Sequence, residues 1–246
     1  TPAWNALSPT GTPPPARHQH TAIYDPVRDR MVVFGGEGDY NFFLNDVWAL
    51  SLSGTPAWNA LSPTGTPPAA RSGHTAIYDP VRDRMVVFAG SDGSLGDDTW
   101  ALSLSGTPTW STLSPTGTPP TARYGHSAIY DPVRDRMVVF GGIDGSARND
   151  VWALSLAGTP AWSALSPTGT PPAGRYGHSA IYDPVRDRMV VFAGWNGFNL
   201  LNEVWALSLS GTPAWSALIP TGTPPTARYF HSAIYDPVRD RMVVFA

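Results

Sequence analysis

The sequence predicts an all-β protein, a β-propeller of four-stranded antiparallel blades. Three observations lead there. The stretch Ala22-Ile23-Tyr24-Asp25-Pro26-Val27-Arg28-Asp29-Arg30-Met31-Val32-Val33-Phe34 recurs verbatim from Ala76, Ala128, Ala180 and Ala233. A repeat of fixed period sets the architecture before any other signal. The equivalent tryptophans Trp4, Trp58, Trp110, Trp162 and Trp215 fall 52 to 54 residues apart, room for four short strands and their turns. The 24 Gly and 26 Pro make about a fifth of the 246 residues, which suits many short strands and many turns.

Each strand of the repeat has its own argument. Residues 20–24 and 31–34 are β-branched or aromatic runs on either side of an Asp-Pro-Val-Arg-Asp-Arg turn, so they read as a hairpin. Residues 31–34 are apolar at every position, as in a strand covered on both faces. Gly35-Gly36 is expected to stop it, because Gly admits positive φ. The first Gly is replaced at Ala89, Ala193 and Ala246, so only the second is expected to be sterically required. A loop unlike its counterparts in the other repeats follows at 37–45. Residues 46–52 form the third strand, residues 53–56 turn the chain, and Trp58 opens the fourth. That strand, with Asn59, Ser62 and Pro63, is wet enough for an outer edge. The Pro-, Gly- and Thr-rich connectors, such as residues 8–17, cannot continue a ladder and read as ordered loops.

The 246 residues read as a single domain, with repeats starting near 17, 71, 123, 175 and 228. Residues 1–16 carry the last strand and loop of a preceding or closing repeat. In a five-bladed ring the fifth blade is shared between the termini and lacks one strand. The alternative is part of a six- or seven-bladed ring. Near-identity of the repeats suits recent natural amplification; a consensus design stays open beside it.

Composition excludes several function classes. A net charge of −3 offers no basic face for nucleic acid. No apolar run is long enough to span a bilayer, so no membrane insertion is expected. Without Cys there is no disulfide and no thiolate chemistry. All sixteen basic residues are Arg, which composition bias multiplied by duplication explains. The sequence contains no signal peptide, but residue 1 falls inside a repeat, which leaves room for an upstream leader removed before it. The Thr/Pro loops suit O-linked sugars, and an extracellular or cell-surface location is slightly favoured.

The residues resemble the Kelch-repeat family, to which the central domain of galactose oxidase is similar. The likeness rests on Arg17 and His20 before strand one, Tyr24-Asp25-Pro26 with Arg28-Asp29-Arg30 in the hairpin, Phe34-Gly35-Gly36, and Asn45-Asp46-Val47-Trp48 with Trp58 downstream. It covers the whole chain. The copper-radical chemistry of galactose oxidase does not carry over, because it uses a Tyr cross-linked to Cys.

In such a blade, the strand 1–2 and 3–4 turns share one face and are nearly constant here. The other face carries the variable strand 2–3 loops. Binding residues collect on variable loops held by a rigid scaffold, so the candidate ligand-binding residues are Glu37, Asp39, Tyr40, Phe42, Phe43, Asp92, Asp97, Asp144, Arg148, Trp195, Asn196 and Phe198. The residues before each repeated His vary as well, including Tyr124, Tyr176 and Tyr229-Phe230. Two repeated positions read as structural. His20, His74, His126, His178 and His231 are expected to bond backbone in a neighbouring blade rather than bind metal. Arg17, Arg71, Arg123, Arg175 and Arg228 are expected to be inter-blade anchors to a carbonyl or an acid. Arg28, Asp29 and Arg30 read as a solvated turn.

Asp92, Asp97 and Asp98 miss the calcium-loop spacing. Glu37, Asp39, Asp46, Asp144, Asp150 and Glu203 read as turn caps. No cofactor, metal or catalytic residue is expected. The favoured function is a non-enzymatic scaffold presenting aromatic and acidic loops to a protein or glycan. The alternative is a structural protein that self-associates through open blade edges. A glycan-active enzyme ranks last.

Overall fold

The structure is a computed structural model that describes residues 5–245. Four antiparallel sheets of four strands follow one another around a central channel, and a two-stranded hairpin continues the series. Blade 1 comprises β1 (Thr21–Asp25), β2 (Arg30–Glu37), β3 (Phe43–Ser51) and β4 (Ala57–Leu61). Blade 2 comprises β5 (Thr75–Asp79), β6 (Arg84–Ser91), β7 (Leu95–Ser103) and β8 (Thr109–Leu113). Blade 3 comprises β9 (Ser127–Asp131), β10 (Arg136–Phe140), β11 (Val151–Ser155) and β12 (Ala161–Leu165). Blade 4 comprises β13 (Ser179–Asp183), β14 (Arg188–Trp195), β15 (Leu200–Ser208) and β16 (Ala214–Leu218). The fifth repeat supplies β17 (Ser232–Asp236) and β18 (Arg241–Phe245). In every complete blade the strands pair in chain order, and the first strands β1, β5, β9, β13 and β17 neighbour one another.

The core lies between blades, as the doubly apolar second strand requires. Ile77, Val86 and Phe88 of blade 2 pack against Met137, Val139, Leu154, Leu156 and Trp162 of blade 3. The same residue types meet between blades 1 and 2 and between blades 3 and 4. Phe88 and Trp162 have ring centroids 4.7 Å apart. Burying each such large side chain stabilises by about 1.5–3 kcal/mol.

The glycine pair does not end the second strand in blades 1, 2 and 4. There the strand runs on through a register shift, as at Phe34/Gly36. The pair builds a β-bulge, which adds a residue and bends the strand. Only in blade 3 does the strand stop at Phe140. At the second position, Gly36 has φ +99, and a Cβ would stand 2.8 Å from the His18 carbonyl and from His20 Cβ. At the first, Ala89 and Ala193 accept φ values of 58 and 61, a strained left-handed conformation costing about 1–2 kcal/mol. Ala246 lies outside the described residues.

Each outer edge is covered by the connector of the preceding repeat. Thr64 bridges Thr109 in parallel, and Thr10, Thr116 and Thr168 repeat this at Ala57, Ala161 and Ala214. The following glycines Gly11, Gly65, Gly117 and Gly169 have φ +80, and a Cβ on them would fall 2.4–2.7 Å from a Trp carbonyl.

The fifth repeat is a hairpin. Residues 5–9 form no strand, and residues 1–4, which carry Trp4 of the expected closing strand, lie outside the described residues. Ile234 is 65 % exposed where its counterpart Ile181 is 7 %.

The Asp-Pro-Val-Arg-Asp-Arg turn is not simply solvated. Asp25, Asp79 and Asp131 are fully buried. Asp131 Oδ1 accepts the backbone N–H groups of Val133 and Arg134. Its Oδ2 accepts Arg134 at 3.0 Å and Arg136 at 2.8 Å. Breaking such a buried set costs more than an exposed pair. Arg134 also reaches Asp187 of blade 4, so the turn joins blades.

Candidate functional site

The two faces of the propeller differ in what they leave available. On the turn face, Leu52, Leu104, Leu156 and Leu209 N–H groups bond the carbonyls of Asp29, Asp83, Asp135 and Asp187. The same pattern repeats blade after blade. The opposite face gathers the strand 2–3 loops beside the ends of the connectors, bridged at His18–Glu37, Ser72–Ser91, Tyr124–Ile143 and Tyr176–Trp195.

An arginine fork holds that loop face in each blade. Arg123 is 1 % exposed. It donates to both oxygens of Asp150 at 2.7 and 2.9 Å and to the Gly141 carbonyl at 2.9 Å. Arg17–Asp46, Arg71–Asp98 and Arg175–Glu203 repeat the pairing. The Arg175 backbone meanwhile bonds Gly142 and Arg148 of blade 3, so side chain and main chain hold different blades. Burial raises the Asp150 carboxyl, but the Arg123 fork and the Trp152 N–H outweigh it and hold the group below its ordinary value. Asp46, Asp150 and Glu203 are therefore partners of buried arginines rather than turn caps, and Asp98 takes the same role on Arg71.

The repeated histidines bond hydroxyl side chains of the preceding blade, beside the backbone there at Phe34, Phe88 and Phe140. His74, His126, His178 and His231 Nε2 lie 2.8–2.9 Å from the hydroxyls of Thr21, Thr75, Ser127 and Ser179, each in the preceding blade. Burial pushes His74 and His126 down to about 3 and His231 to about 4. They are neutral spacers between blades. Among the described residues no group of three or more His, Cys, Asp or Glu could hold a metal ion.

Around the channel mouth runs a chain of backbone bonds, one per blade. Gly73 N–H donates to Gln19, Gly125 to Gly73, Gly177 to Gly125 and Phe230 to Gly177, at 2.6–2.9 Å. These residues and His20 line a cleft of about 810 Å3 that continues between blade 1 and the fifth hairpin.

The candidate residues are spread over the strand 2–3 loops of all four complete blades. Tyr40 and Phe42 of blade 1 are 101 and 69 % exposed, with Asp39 beside them and Phe43 half-buried. Glu37 accepts from Ser72 of blade 2 at 3.4 Å. Asp92 and Asp97 are exposed on the blade 2 loop. In blade 3, Arg148 holds Asp144 at 2.7 Å and lowers its carboxyl to about 2. That pair tightens its own loop, and Thr121 adds a further bond to Asp144. In blade 4, the Asn196 side chain accepts the Phe198 and Asn199 N–H groups, which displays Phe198 at 90 % exposure.

Trp195 belongs to an aromatic cluster that the candidate set only touches. Its ring centroid lies 5.6 Å from Tyr176 and 5.7 Å from Tyr229. Tyr124 and Phe230 extend the cluster. The signal was present in sequence, because three consecutive repeats place Tyr two residues before the His.

A family model described as the KLHDC2/KLHL20/DRC7 Kelch-repeats domain matches residues 1–157 and 92–246. Among curated proteins, the chain is 29 % identical over 238 residues to the Leucine-zipper-like transcriptional regulator 1 homolog of Drosophila melanogaster, covering 89 % of this chain and 23 % of that protein. It is 31 % identical over 190 residues to the Host cell factor homolog hcf-1 of Caenorhabditis elegans, covering 68 and 24 %. It is 29 % identical over 211 residues to Acyl-CoA-binding domain-containing protein 5 of Arabidopsis thaliana, covering 85 and 32 %. The chain thus spans between about a quarter and a third of these relatives. With the five-fold repeat, the blade topology and the family match all in agreement, the chain belongs to the Kelch-repeat family.

Proposed function

We propose that the chain is a non-enzymatic protein-interaction scaffold that binds through its loop face. The supporting observation is the contrast between the faces. The turn face repeats one buried Asp–Arg lattice, whereas the loop face displays Tyr40, Phe42, Phe198 and the Trp195–Tyr229–Phe230 cluster. Exposed aromatics supply large, rigid contact area and dominate interface energetics. The similarity to Host cell factor and to a transcriptional regulator homolog supports a protein partner over a small substrate.

The test is capture of binding proteins by the native chain and by a Tyr40→Ala/Phe42→Ala/Trp195→Ala/Phe198→Ala variant, alongside a glycan array. Loss of the captured proteins in the variant supports the reading. An unchanged captured set rejects it, and binding confined to the array reassigns the face to glycans.

A further inference from the structure

Blade 2 departs from the repeat at two positions of one strand. At the start of the third strand, Asn45, Asn149 and Asn202 donate through Nδ2 to the carbonyls of Pro68, Pro172 and Pro225 at 3.3–3.4 Å. The bond straps each third strand to the connector that leaves its blade. Asp97 stands at that position in blade 2, and an ionised carboxylate has no N–H to give the carbonyl of Pro120. Two residues on, Val47 and Val151 are buried among apolar side chains in blades 1 and 3. Blade 2 has Thr99 there. Thr99 is 4 % exposed, and its hydroxyl has no hydrogen-bond partner among the described residues. A buried hydroxyl without a partner is costly.

The two changes meet at one pocket. Residues two apart on a strand share a face, so Asp97 and Thr99 lie on one side of β7. There, between β7, β8, the connector and blade 3, is a pocket of about 290 Å3. Asp97 and Thr99 line it together with Trp100, Leu113, Pro119 and Trp162. Asp98 borders it too, but both of its oxygens are taken by Arg71. Asp97 therefore supplies the negative charge, Thr99 the buried acceptor, and the proline, leucine and tryptophans the apolar walls.

We propose that this pocket receives an arginine side chain of a partner protein. A carboxylate that only accepts, above a hydroxyl open to a donor, calls for a cation rich in N–H groups. The guanidinium is planar, carries five of them and stacks on aromatic faces. Its aliphatic stem suits the apolar walls. Two N–H groups meet Asp97, and Thr99 accepts a third deeper in. An ammonium has neither the flat face nor the fork. Asp92 and Asp97, both exposed on the blade 2 loop, give the entrance a charge that attracts such a side chain. The pocket lies in the seam between blades 2 and 3, apart from the displayed aromatics, and does not depend on them.

The test titrates the isotope-labelled full chain with N-acetyl-arginine methylamide, which presents the side chain as a peptide does, and follows the amide resonances. Saturable shifts are expected at residues 97–100 and 112–119. The capped citrulline analogue, similar in shape but uncharged, should bind roughly tenfold more weakly. Asp97→Asn and Thr99→Val install residues that the other blades carry, which favours an intact fold. Asp97→Asn should weaken arginine binding about tenfold and Thr99→Val about fivefold. The two ligands on the native chain keep the test valid if a variant misfolds. No saturable shift in the native chain overturns the proposal, as does equal binding of citrulline or undiminished binding by folded Asp97→Asn. Tighter binding of free arginine than of the capped form also overturns it, since the pocket would then serve the amino acid and not a protein.

Discussion

Arg134 of blade 3 grips Asp187 of blade 4 through both carboxylate oxygens, at 3.2 and 2.7 Å, while holding the buried Asp131 of its own turn at 3.0 Å. Arg134→Ala removes the inter-blade grip and leaves Asp131 with Arg136. The expected loss is about 2 kcal/mol, between the values for exposed and buried pairs, read from urea unfolding. Arg186 makes the same contacts to Asp183 and Asp240 but is 46 % exposed, so Arg186→Ala should cost much less. Equal losses would show that burial of the turn does not matter.

The connector glycines predict a second contrast. A Cβ on Gly117 would fall 2.5 Å from the Trp162 carbonyl. Gly117→Ala combines that clash with a left-handed backbone and should cost more than about 3 kcal/mol. Gly222→Ala meets no neighbour among the described residues and should cost the conformational part, about 1–2 kcal/mol. Thermal unfolding of the two variants side by side decides this, and similar midpoints would contradict the steric account.

Acid should loosen the blades through the histidines. Burial holds His74, His126, His178 and His231 below their ordinary value when folded. The unfolded chain takes up protons below about pH 6.5, while in the folded chain His231 does not until about 4, His74 and His126 not until about 3, and His178 only well below its ordinary value. Stability is thus fully present above pH 6.5 and falls as pH drops through that window, by up to about 1.4 kcal/mol per pH unit for each histidine. Urea midpoints from pH 7.5 to 4.5 measure it. His126→Gln should flatten the slope by one proton, and a flat native profile would refute the assignment.

The loop face should separate display from packing. Tyr40→Ala, Phe42→Ala and Phe198→Ala together should leave the melting midpoint unchanged, because those rings touch solvent. Tyr176 is only 8 % exposed and packs on Tyr124, Trp195 and Phe230. Tyr176→Ala should cost about 3 kcal/mol. If both variants melt alike, the cluster is not a packed unit.

Much of the fold was legible because the repeat exposes its own logic. The all-apolar Met-Val-Val-Phe run implied a strand between layers, and the tryptophan period implied blades. What escaped was the partner of each polar group. Nothing in Asp25-Pro26-Val27-Arg28 shows locally that Arg28, which holds the buried Asp25, also reaches Asp83 of the next blade, more than fifty residues away. The histidine bond to Thr21, Thr75, Ser127 or Ser179 is equally distant in sequence. The glycine pair misled because a stop and a bulge use the same positive φ. On the loop face the aromatics of the loops enter the candidate set, while Tyr124, Tyr176 and Tyr229-Phe230 are noted as varying but left out of it, because their packing on Trp195 joins residues roughly twenty to seventy positions apart.

The rim of bonds from Gln19 to Phe230 has a consequence for how the molecule comes apart. All of its N–H groups point the same way round, so the same bond closes every joint from blade 1 to the fifth hairpin. Loosening has to start at an end of that series, and the hairpin that carries Phe230 has the least apolar cover. The fifth repeat therefore works as a clutch, the first part to disengage on heating and the last to re-engage on cooling, while the other four turn over as one cooperative block.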